Sequence, residues 1–484
     1  MNFKSLSHFT GLILFVEAVL MLPAFILSLI FREPGSADAY LQTLLIIVIL
    51  GALLWLLSRG EKANDFYEKE GLACAGISWL VLGLTGALPF FFSGQIPSYI
   101  DALFETVSGF TTTGASILPE VESMDKSLLY WRSFTHWIGG MGVLVFLLAL
   151  VPRSRHGAGF TVHILRAESP GPDVGKLVPQ LRKTAQLLYL IYIGLTAVDI
   201  ILLALDMPLF DAFCIAFGTA GTGGFAVTNA GLGGYSPYIQ WVTTIFMFLF
   251  GVNFSCYYLL LKKRPGSVIR DEELHTYLAV FLGAGLIIAF SVRSYFGGWE
   301  ETLRHSFFQA ASIMSTTGFA TTDFNLWTTL AKGILVFLMI LGASAGSTGG
   351  GLKCIRLNLI VKDLRSNLRE MIRPGRIYPV RSNGRPVNQS VLTSLRTYLA
   401  AYVLIVLTSF LILCIDGRDL TTSITAVLAC FNNIGPGLSE VGPMGNYGSL
   451  SVLSKLVLIF DMLAGRLEIF PMIALISRTT WRHE

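Results

Sequence analysis

Charge is scarce in this sequence. Asp, Glu, Lys and Arg make up 14% of its 484 residues, too few to clothe a soluble chain of this length. Cysteine is scarce too. Cys74, Cys214, Cys256, Cys354, Cys414 and Cys430 are the six, and all lie in or beside apolar segments with no close pair. That pattern argues against a disulfide framework or a zinc site and for buried reduced thiols. No Gly-Lys-Ser/Thr follows a glycine run at the spacing a nucleotide phosphate loop needs. His136 and His305 have no matching Cys, His or carboxylate cluster. Both are expected near outer helix ends or in loops, as interfacial or structural residues rather than metal ligands. The net charge of +4 is modest, and its basic residues gather in a few loops, so nucleic acid is not an expected partner.

What the chain has is apolar length. With 53% hydrophobic residues and many runs of about twenty, it reads as an all-α integral membrane protein. Two spans come first, over 9–31 and 40–58, and the first is long enough to be a retained helix rather than a cleaved leader. A charged linker, Arg59 to Glu70, closes a region over 1–70. A unit then recurs four times: spanning helix, half-length helix, Gly/Thr loop, second spanning helix. Its copies run 71–92, 100–110, 111–116 and 128–151; then 184–205, 209–218, 219–226 and 237–261; then 275–296, 301–314, 315–322 and 328–360; then 394–415, 420–431, 432–438 and 448–477. With linkers, the units are 71–183, 184–273, 274–393 and 394–484. The fold expected is a pseudo-fourfold array of four such units plus two N-terminal transmembrane helices.

The loops are the informative part. Ser108-Gly109-Phe110-Thr111-Thr112-Thr113-Gly114-Ala115 is echoed by Gly218-Thr219-Ala220-Gly221-Thr222-Gly223-Gly224-Phe225, by Ser315-Thr316-Thr317-Gly318-Phe319, and by Asn432-Asn433-Ile434-Gly435-Pro436-Gly437. A half-length helix cannot cross a core of about 30 Å, so each loop re-enters, and irregular backbone at that depth must be sheltered by protein or face water. A dehydrated monovalent cation needs several oxygens at once, which consecutive backbone carbonyls supply. The half-helices also turn their partly negative ends toward it. One such loop reads as a helix cap or packing seam; four in matching places read as one pore.

A second glycine run, Gly342 to Gly351, interrupts the last helix of the third unit and is expected to be a loop lining a cavity, since a packing seam needs only spaced small residues. Arg466 stands deep in the final helix beside Asp461 and Glu468, where the plain alternative is an ion pair tying helices together. Lys455 is expected to snorkel toward an interface, with bracing of the ring as the other reading. Glu17 and Asp199 are isolated acids for which snorkelling is also the ordinary reading. Basic residues concentrate in 152–183 (Arg153, Arg155, Arg166, Lys176, Arg182, Lys183), in 262–270 and in 353–396 (among them Lys353, Arg356, Arg365, Arg369, Arg373 and Arg376). The positive-inside rule sets these in the cytoplasm, where anionic lipid is their default partner.

On these residues the chain resembles the TrkH/KtrB/HKT superfamily of potassium transporters, and within it the bacterial TrkH branch. The resemblance runs the whole length. It includes Ala87-Leu88-Pro89-Phe90, His136-Trp137-Ile138-Gly139-Gly140-Met141-Gly142, Gly346-Ser347-Thr348-Gly349-Gly350-Gly351-Leu352-Lys353 and Gly465-Arg466-Leu467-Glu468-Ile469-Phe470. It implies one pore per subunit with a selectivity glycine from each unit, mapped to Gly114, Gly223, Gly318 and Gly435. The filter implied is Thr112, Thr113, Gly114, Thr222, Gly223, Thr317, Gly318, Ile434 and Gly435. The K⁺ ligands implied are backbone oxygens of Thr112, Thr113, Thr222, Gly223, Thr316, Thr317, Asn433 and Ile434. The gate implied is Gly346, Ser347, Thr348, Gly349, Gly350 and Gly351 with Arg466. Glycine at all four filter positions favours K⁺ over Na⁺ by analogy, with K⁺ as transported ion and no organic cofactor. The resemblance further implies a homodimer in the bacterial inner membrane, both termini cytoplasmic, on a cytosolic nucleotide-binding ring of the TrkA type. A secondary K⁺/H⁺ or Na⁺-coupled symporter and a Na⁺-permeable relative are the alternatives. Enzyme chemistry is not expected, although Ser344, Ser347 and His136 carry nucleophile and base side chains.

Overall fold

Two apolar stretches form an antiparallel hairpin, α1 (Phe3–Ile30) and α2 (Pro34–Leu57). Pro34 opens α2, where its fixed φ suits the first turn and its missing N–H would have gone unbonded. The pair is close because Gly11 faces Gly51: a Cβ on Gly11 would lie 2.9 Å from the Gly51 carbonyl oxygen. Small residues at such crossings let membrane helices approach. Leu45, Ile49, Leu53 and Leu56, at helical spacing along α2, stay exposed, a stripe suited to lipid.

In this computed structural model, the structure describes residues 3–58, 68–142, 181–373 and 378–481. The linker 59–67, the end of the expected span 128–151 and the basic segment with Arg153, Arg155, Arg166 and Lys176 lie outside the described residues, as does Arg376. The chain continues as α3 (Glu68–Gly86), α4 (Leu88–Phe92), α5 (Tyr99–Phe110), α6 (Lys126–Gly140), α7 (Leu181–Leu203), α8 (Leu209–Gly221), α9 (Pro237–Phe250), α10 (Phe254–Leu261) and α11 (Pro265–Ile269). Then come α12 (Glu272–Val292), α13 (Trp299–Met314), α14 (Thr329–Ile340), α15 (Cys354–Ile372), α16 (Gln389–Leu413), α17 (Leu420–Phe431), α18 (Val452–Arg466), α19 (Phe470–Ile476) and α20 (Arg478–Trp481). A two-residue antiparallel pair, Arg381–Ser382 with Arg385–Pro386, is the one described strand pairing.

Among the described residues, six helices are long and apolar enough to cross a membrane. They are the first two and the leading helix of each unit. The second helices differ from expectation. Only that of the third unit was expected to break, yet 237–261 and 448–477 are broken as well. Helices α9 and α10 meet at 88° across Gly251–Asn253. Helix α18 stops at Arg466, and Glu468 and Ile469 take positive φ of 56° and 71° before α19 begins.

Packing gives the reason glycine is needed near these ends. A Cβ on Gly139 would collide with the Phe110 carbonyl oxygen, and one on Gly465 with that of Phe431. The second helix therefore touches the main chain at the tip of its own half-helix. Two buried apolar clusters support this centre. One joins α1, α3, α5, α6, α17 and α18 around Trp79, Trp131 and Phe431; the other joins α8, α9, α12, α13 and α14 around Phe250, Phe281 and Phe308.

Candidate functional site: a ring of four loops and the loop beneath it

The half-helices α5, α8, α13 and α17 have 12, 13, 16 and 12 residues, about 18–24 Å at a rise of 1.5 Å per residue. All four end in the same closure. Thr113 N–H donates to Ser108 O, Gly223 to Gly218 O, Thr317 to Ser312 O and Ile434 to Ala429 O, each at 2.8 Å. One residue earlier, Thr112, Thr222, Thr316 and Asn433 donate three residues back and hold φ of 56°, 53°, 62° and 56°. This is the paired closure that ends a helix through a left-handed residue. Threonine there is costly, because a β-branched side chain disfavours positive φ. The strain recurs in three of the four loops.

Two residues beyond each closure's start, a glycine again takes positive φ: Gly114 at 78°, Gly224 at 74°, Gly318 at 87° and Gly435 at 94°. These four also line a common cavity of about 140 Å³. The equivalent glycine of the second loop is thus Gly224. Gly223, to which the selectivity position was mapped, occupies the place of Thr113, Thr317 and Ile434. The sequence offered two adjacent glycines, and only the backbone dihedrals tell them apart.

The four loops meet in order and close on themselves. A Cβ on Gly114 would collide with Gly223 O, one on Gly224 with Thr317 O, and one on Gly318 with Ile434 O; on Gly435 it would stand 2.7 Å from Thr113 O. Thr112, Thr113, Thr222, Thr316, Thr317, Asn433 and Ile434 are all fully buried. Hydroxyl pairs stiffen two strands, Thr111 with Thr113 at 2.8 Å and Ser315 with Thr317 at 2.7 Å. Asn433 Nδ2 donates to Thr113 Oγ1 at 3.0 Å and to Met462 O at 2.9 Å, and Tyr447 O–H donates to Gly435 O at 2.6 Å.

The glycine run of the third unit lies against this ring. Gly350 N–H donates to Thr316 Oγ1 at 2.7 Å, and a Cβ on Gly350 would come within 2.6 Å of Asn432 O. The loop is pinned on three further sides. It docks in the break between α9 and α10, where Ser344 N–H donates to Gly251 O at 3.0 Å, Phe254 N–H to Gly346 O at 3.0 Å, and Thr348 Oγ1 to Phe250 O at 3.2 Å. Arg466 donates from Nη1 to Thr348 O at 2.8 Å, and from Nη2 to Gly140 O at 2.8 Å and to Gly139 O. Lys353 Nζ donates to Gly349 O. Arg466 therefore joins the first, third and fourth units, while Glu468 pairs with Arg356 at 2.5 Å.

Several side chains stand where the sequence did not put them. Lys353 and Arg356 are 2% and 9% exposed, so they belong to the loop's seat rather than to a solvated basic stretch. His136 is fully buried behind the second strand, its Nδ1 2.8 Å from Gly109 O and its Nε2 accepting from Phe225 N–H at 3.3 Å; it is neither interfacial nor near an outer end. Lys455 pairs with Asp101 at 2.6 Å instead of snorkelling. Glu17, 1% exposed, accepts from Thr85 Oγ1 at 2.6 Å, and Asp199 is fully buried. Glu273 was missed. One of its carboxylate oxygens accepts from Ala345 N–H at 2.7 Å and Ile355 N–H at 3.0 Å, tying both ends of the glycine loop. An acid in the first turn of a helix was its sequence signal, indistinguishable there from an ordinary dipole-favoured residue.

Four re-entrant half-helices closing one ring define a helical membrane protein of the pore-loop kind. The sequence profile of the TrkH family, described as a cation transport protein, matches residues 36–283 and 291–480. The chain belongs to that family. It is 34% identical over 489 residues to the Trk system potassium uptake protein TrkH of Salmonella typhimurium and 33% identical to that of Escherichia coli K12, with all of both chains covered in each case. The crystal structure of the potassium transporter TrkH from Vibrio parahaemolyticus superposes with a TM-score of 0.89 at 30% identity, again over the whole of both chains.

Proposed function

We propose that this protein takes up potassium through a channel-like path whose filter is the ring of loops. The carrying observation is the closure of the ring: each loop's glycine lies against the carbonyl that precedes the next loop's glycine. That arrangement gathers main-chain oxygens of Thr113, Gly223, Thr317 and Ile434 in one layer, with Thr112, Thr222, Thr316 and Asn433 one residue below. Such oxygens replace an ion's water shell without a fixed charge. The ends of α5, α8, α13 and α17 add partly negative potential. Only Gly fits at 114, 224, 318 and 435, because any side chain would enter the neighbouring carbonyl and would carry the cost of positive φ.

The loop 342–351 and Arg466 act as the gate. The loop sits against Thr316 and Asn433, at the inner end of the ring, and a guanidinium in the path opposes cations. Opening requires the loop to leave its seat in the α9–α10 break. Control comes from outside the pore. The end of α15 exposes Arg365, Arg369 and Arg373 together with Leu368, Met371 and Ile372, a basic and apolar surface suited to a cytosolic nucleotide-binding ring of the TrkA type. A homodimer in the bacterial inner membrane with both termini in the cytoplasm completes the reading. The protein has no enzymatic role in this account.

Purified protein in liposomes tests the proposal. Rb⁺ uptake should follow the imposed gradient, compete with K⁺ and resist competition by Na⁺. Uptake that Na⁺ suppresses as well as K⁺ does, or that needs a proton or Na⁺ gradient, overturns it. Capture of a nucleotide-binding ring protein by the intact chain, lost on reversing Arg365, Arg369 and Arg373, tests the partner.

A further inference from the structure

The second filter strand is built unlike the others. In the first and third, a hydroxyl at the strand bonds a hydroxyl two residues earlier, Thr113 with Thr111 and Thr317 with Ser315. The fourth buries Ile434 completely. At the corresponding places the second strand has Gly221 and Gly223, with Gly224 following. Neither place has a side chain, the Thr222 hydroxyl between them bonds only its neighbour Gly221 O at 2.7 Å, and three glycines in four residues leave a backbone that its own side chains constrain little.

The missing side chains are replaced from another unit. The His136 ring fills the space beside Gly223, where any Cβ would collide with it, and the His136 carbonyl does the same at Gly221. Gly109 O can only accept and Phe225 N–H can only donate. The two contacts therefore fix the ring as the neutral tautomer with hydrogen on Nδ1 and a lone pair on Nε2. One turn back on α6, Arg132 lays its guanidinium 3.5 Å over the Phe225 ring and donates from Nη1 to Ala226 O at 3.0 Å. Its Nε pairs with Glu105 at 2.6 Å, and Glu105 also accepts from Ile117 N–H at 2.9 Å. Phe225 is thus held between two side chains of α6, and each of those is anchored on α5, at Glu105 and Gly109. Glu105, Arg132 and His136 are 1%, 3% and 0% exposed.

We propose that Arg132 and His136 are positioning residues that set K⁺ over Na⁺ discrimination by clamping the second filter strand at Phe225 and Ala226. Na⁺, the smaller ion, needs its oxygens drawn inward. A strand of bare glycine could follow it, whereas a strand tied at the next two residues cannot. The proposal deepens the potassium reading and rests on it.

Two substitutions of one residue keep and remove the acceptor for Phe225 N–H. In H136Q the amide oxygen reaches the place of Nε2 and still accepts from Phe225 N–H. In H136N the amide still donates to Gly109 O but stops short of Phe225. With Rb⁺ uptake competed by K⁺ and Na⁺ in liposomes, H136N should lose about fivefold in K⁺ over Na⁺ discrimination, the worth of one hydrogen bond at about 1 kcal/mol. H136Q should stay within about twofold of the wild type. Unchanged discrimination in H136N overturns the clamp, and so does equal loss in both variants, because the acceptor for Phe225 N–H would then make no difference. Asparagine is also the smaller side chain, so R132K, which leaves His136 in place, is measured beside it and decides if H136N does not fold. Its amine keeps the charge beside Glu105 and gives up Ala226 O, so discrimination should fall; wild-type discrimination in R132K overturns the proposal. A wild-type protein that does not prefer K⁺ overturns the potassium reading and the clamp together, whereas a selective wild type with unaltered variants overturns the clamp alone.

Discussion

Replacing Arg466 by alanine should open the pore. Arg466 donates to Thr348 O on the glycine loop and to Gly139 O and Gly140 O at the end of α6. The α6 end is fixed by the ring, so the bond to Thr348 is the tether that a moving loop must break. A hydrogen bond from a charged donor contributes about 1.5–3 kcal/mol. Its loss would raise the open fraction of a mostly closed gate by about ten- to a hundredfold. The assay is Rb⁺ flux into liposomes at matched protein density, with monodispersity in detergent as the folding control. R466K separates tether from charge. Lysine keeps the positive charge in the path but cannot span Thr348 and α6 with one forked group. If release of the loop matters, R466K should raise flux most of the way to R466A; if charge alone matters, it should resemble the wild type. Unchanged flux in well-folded R466A would refute the gate assignment.

Further outcomes follow from other contacts. Deleting three residues within Gly346–Gly351 should raise flux in the same assay, because the shortened loop cannot span from Gly251 to Thr316. Glu273→Ala removes the acceptor for Ala345 and Ile355; at about 1–3 kcal/mol for unsatisfied donors it should raise basal flux without altering ion preference, read by competition. Gly224→Ala should abolish selective uptake through its clash with Thr317 O. Asp419 caps α17 by accepting from Thr422 N–H at 3.1 Å, and Asp419→Ala should cost about 0.5–2 kcal/mol in thermal stability. Bonding to the Thr422 hydroxyl holds the Asp419 carboxyl below its ordinary value. Its folded value is the lower one, so this contribution is present above about pH 4 and is lost as pH falls further. A melting curve of D419A that differs from the wild type equally at pH 7 and well below pH 4 would contradict that.

Much of this was legible from apolar length and glycine. Short helices followed by a glycine, with Thr before it in three loops and Asn-Asn-Ile in the fourth, located all four loops, and α17 begins and ends where the sequence put it, at 420 and 431. The run Gly342–Gly351 was legible as a loop for the same reason: no helix tolerates it. What could not be read was registration between units. Gly223 and Gly224 are chemically identical, and only the φ of 74° at Gly224 identifies its place in the ring. Single glycines at 251 and 465 gave no hint that their helices break, since an isolated glycine is tolerated within a span. His136 was misjudged and Glu273 missed because their partners are backbone groups far along the chain, and Lys353 was misjudged because its partner is the carbonyl of Gly349; backbone partners leave no mark in a sequence.

The central claim is that main-chain oxygens of the four loops hold the ion. The most direct measurement is anomalous diffraction from crystals grown in Rb⁺. The account predicts a peak on the axis between the carbonyl oxygens of Thr113, Gly223, Thr317 and Ile434, weakened when K⁺ is added beside Rb⁺ and kept when Na⁺ is added at the same concentration. A ring with no peak there, or a peak that Na⁺ displaces as readily as K⁺ does, would contradict it.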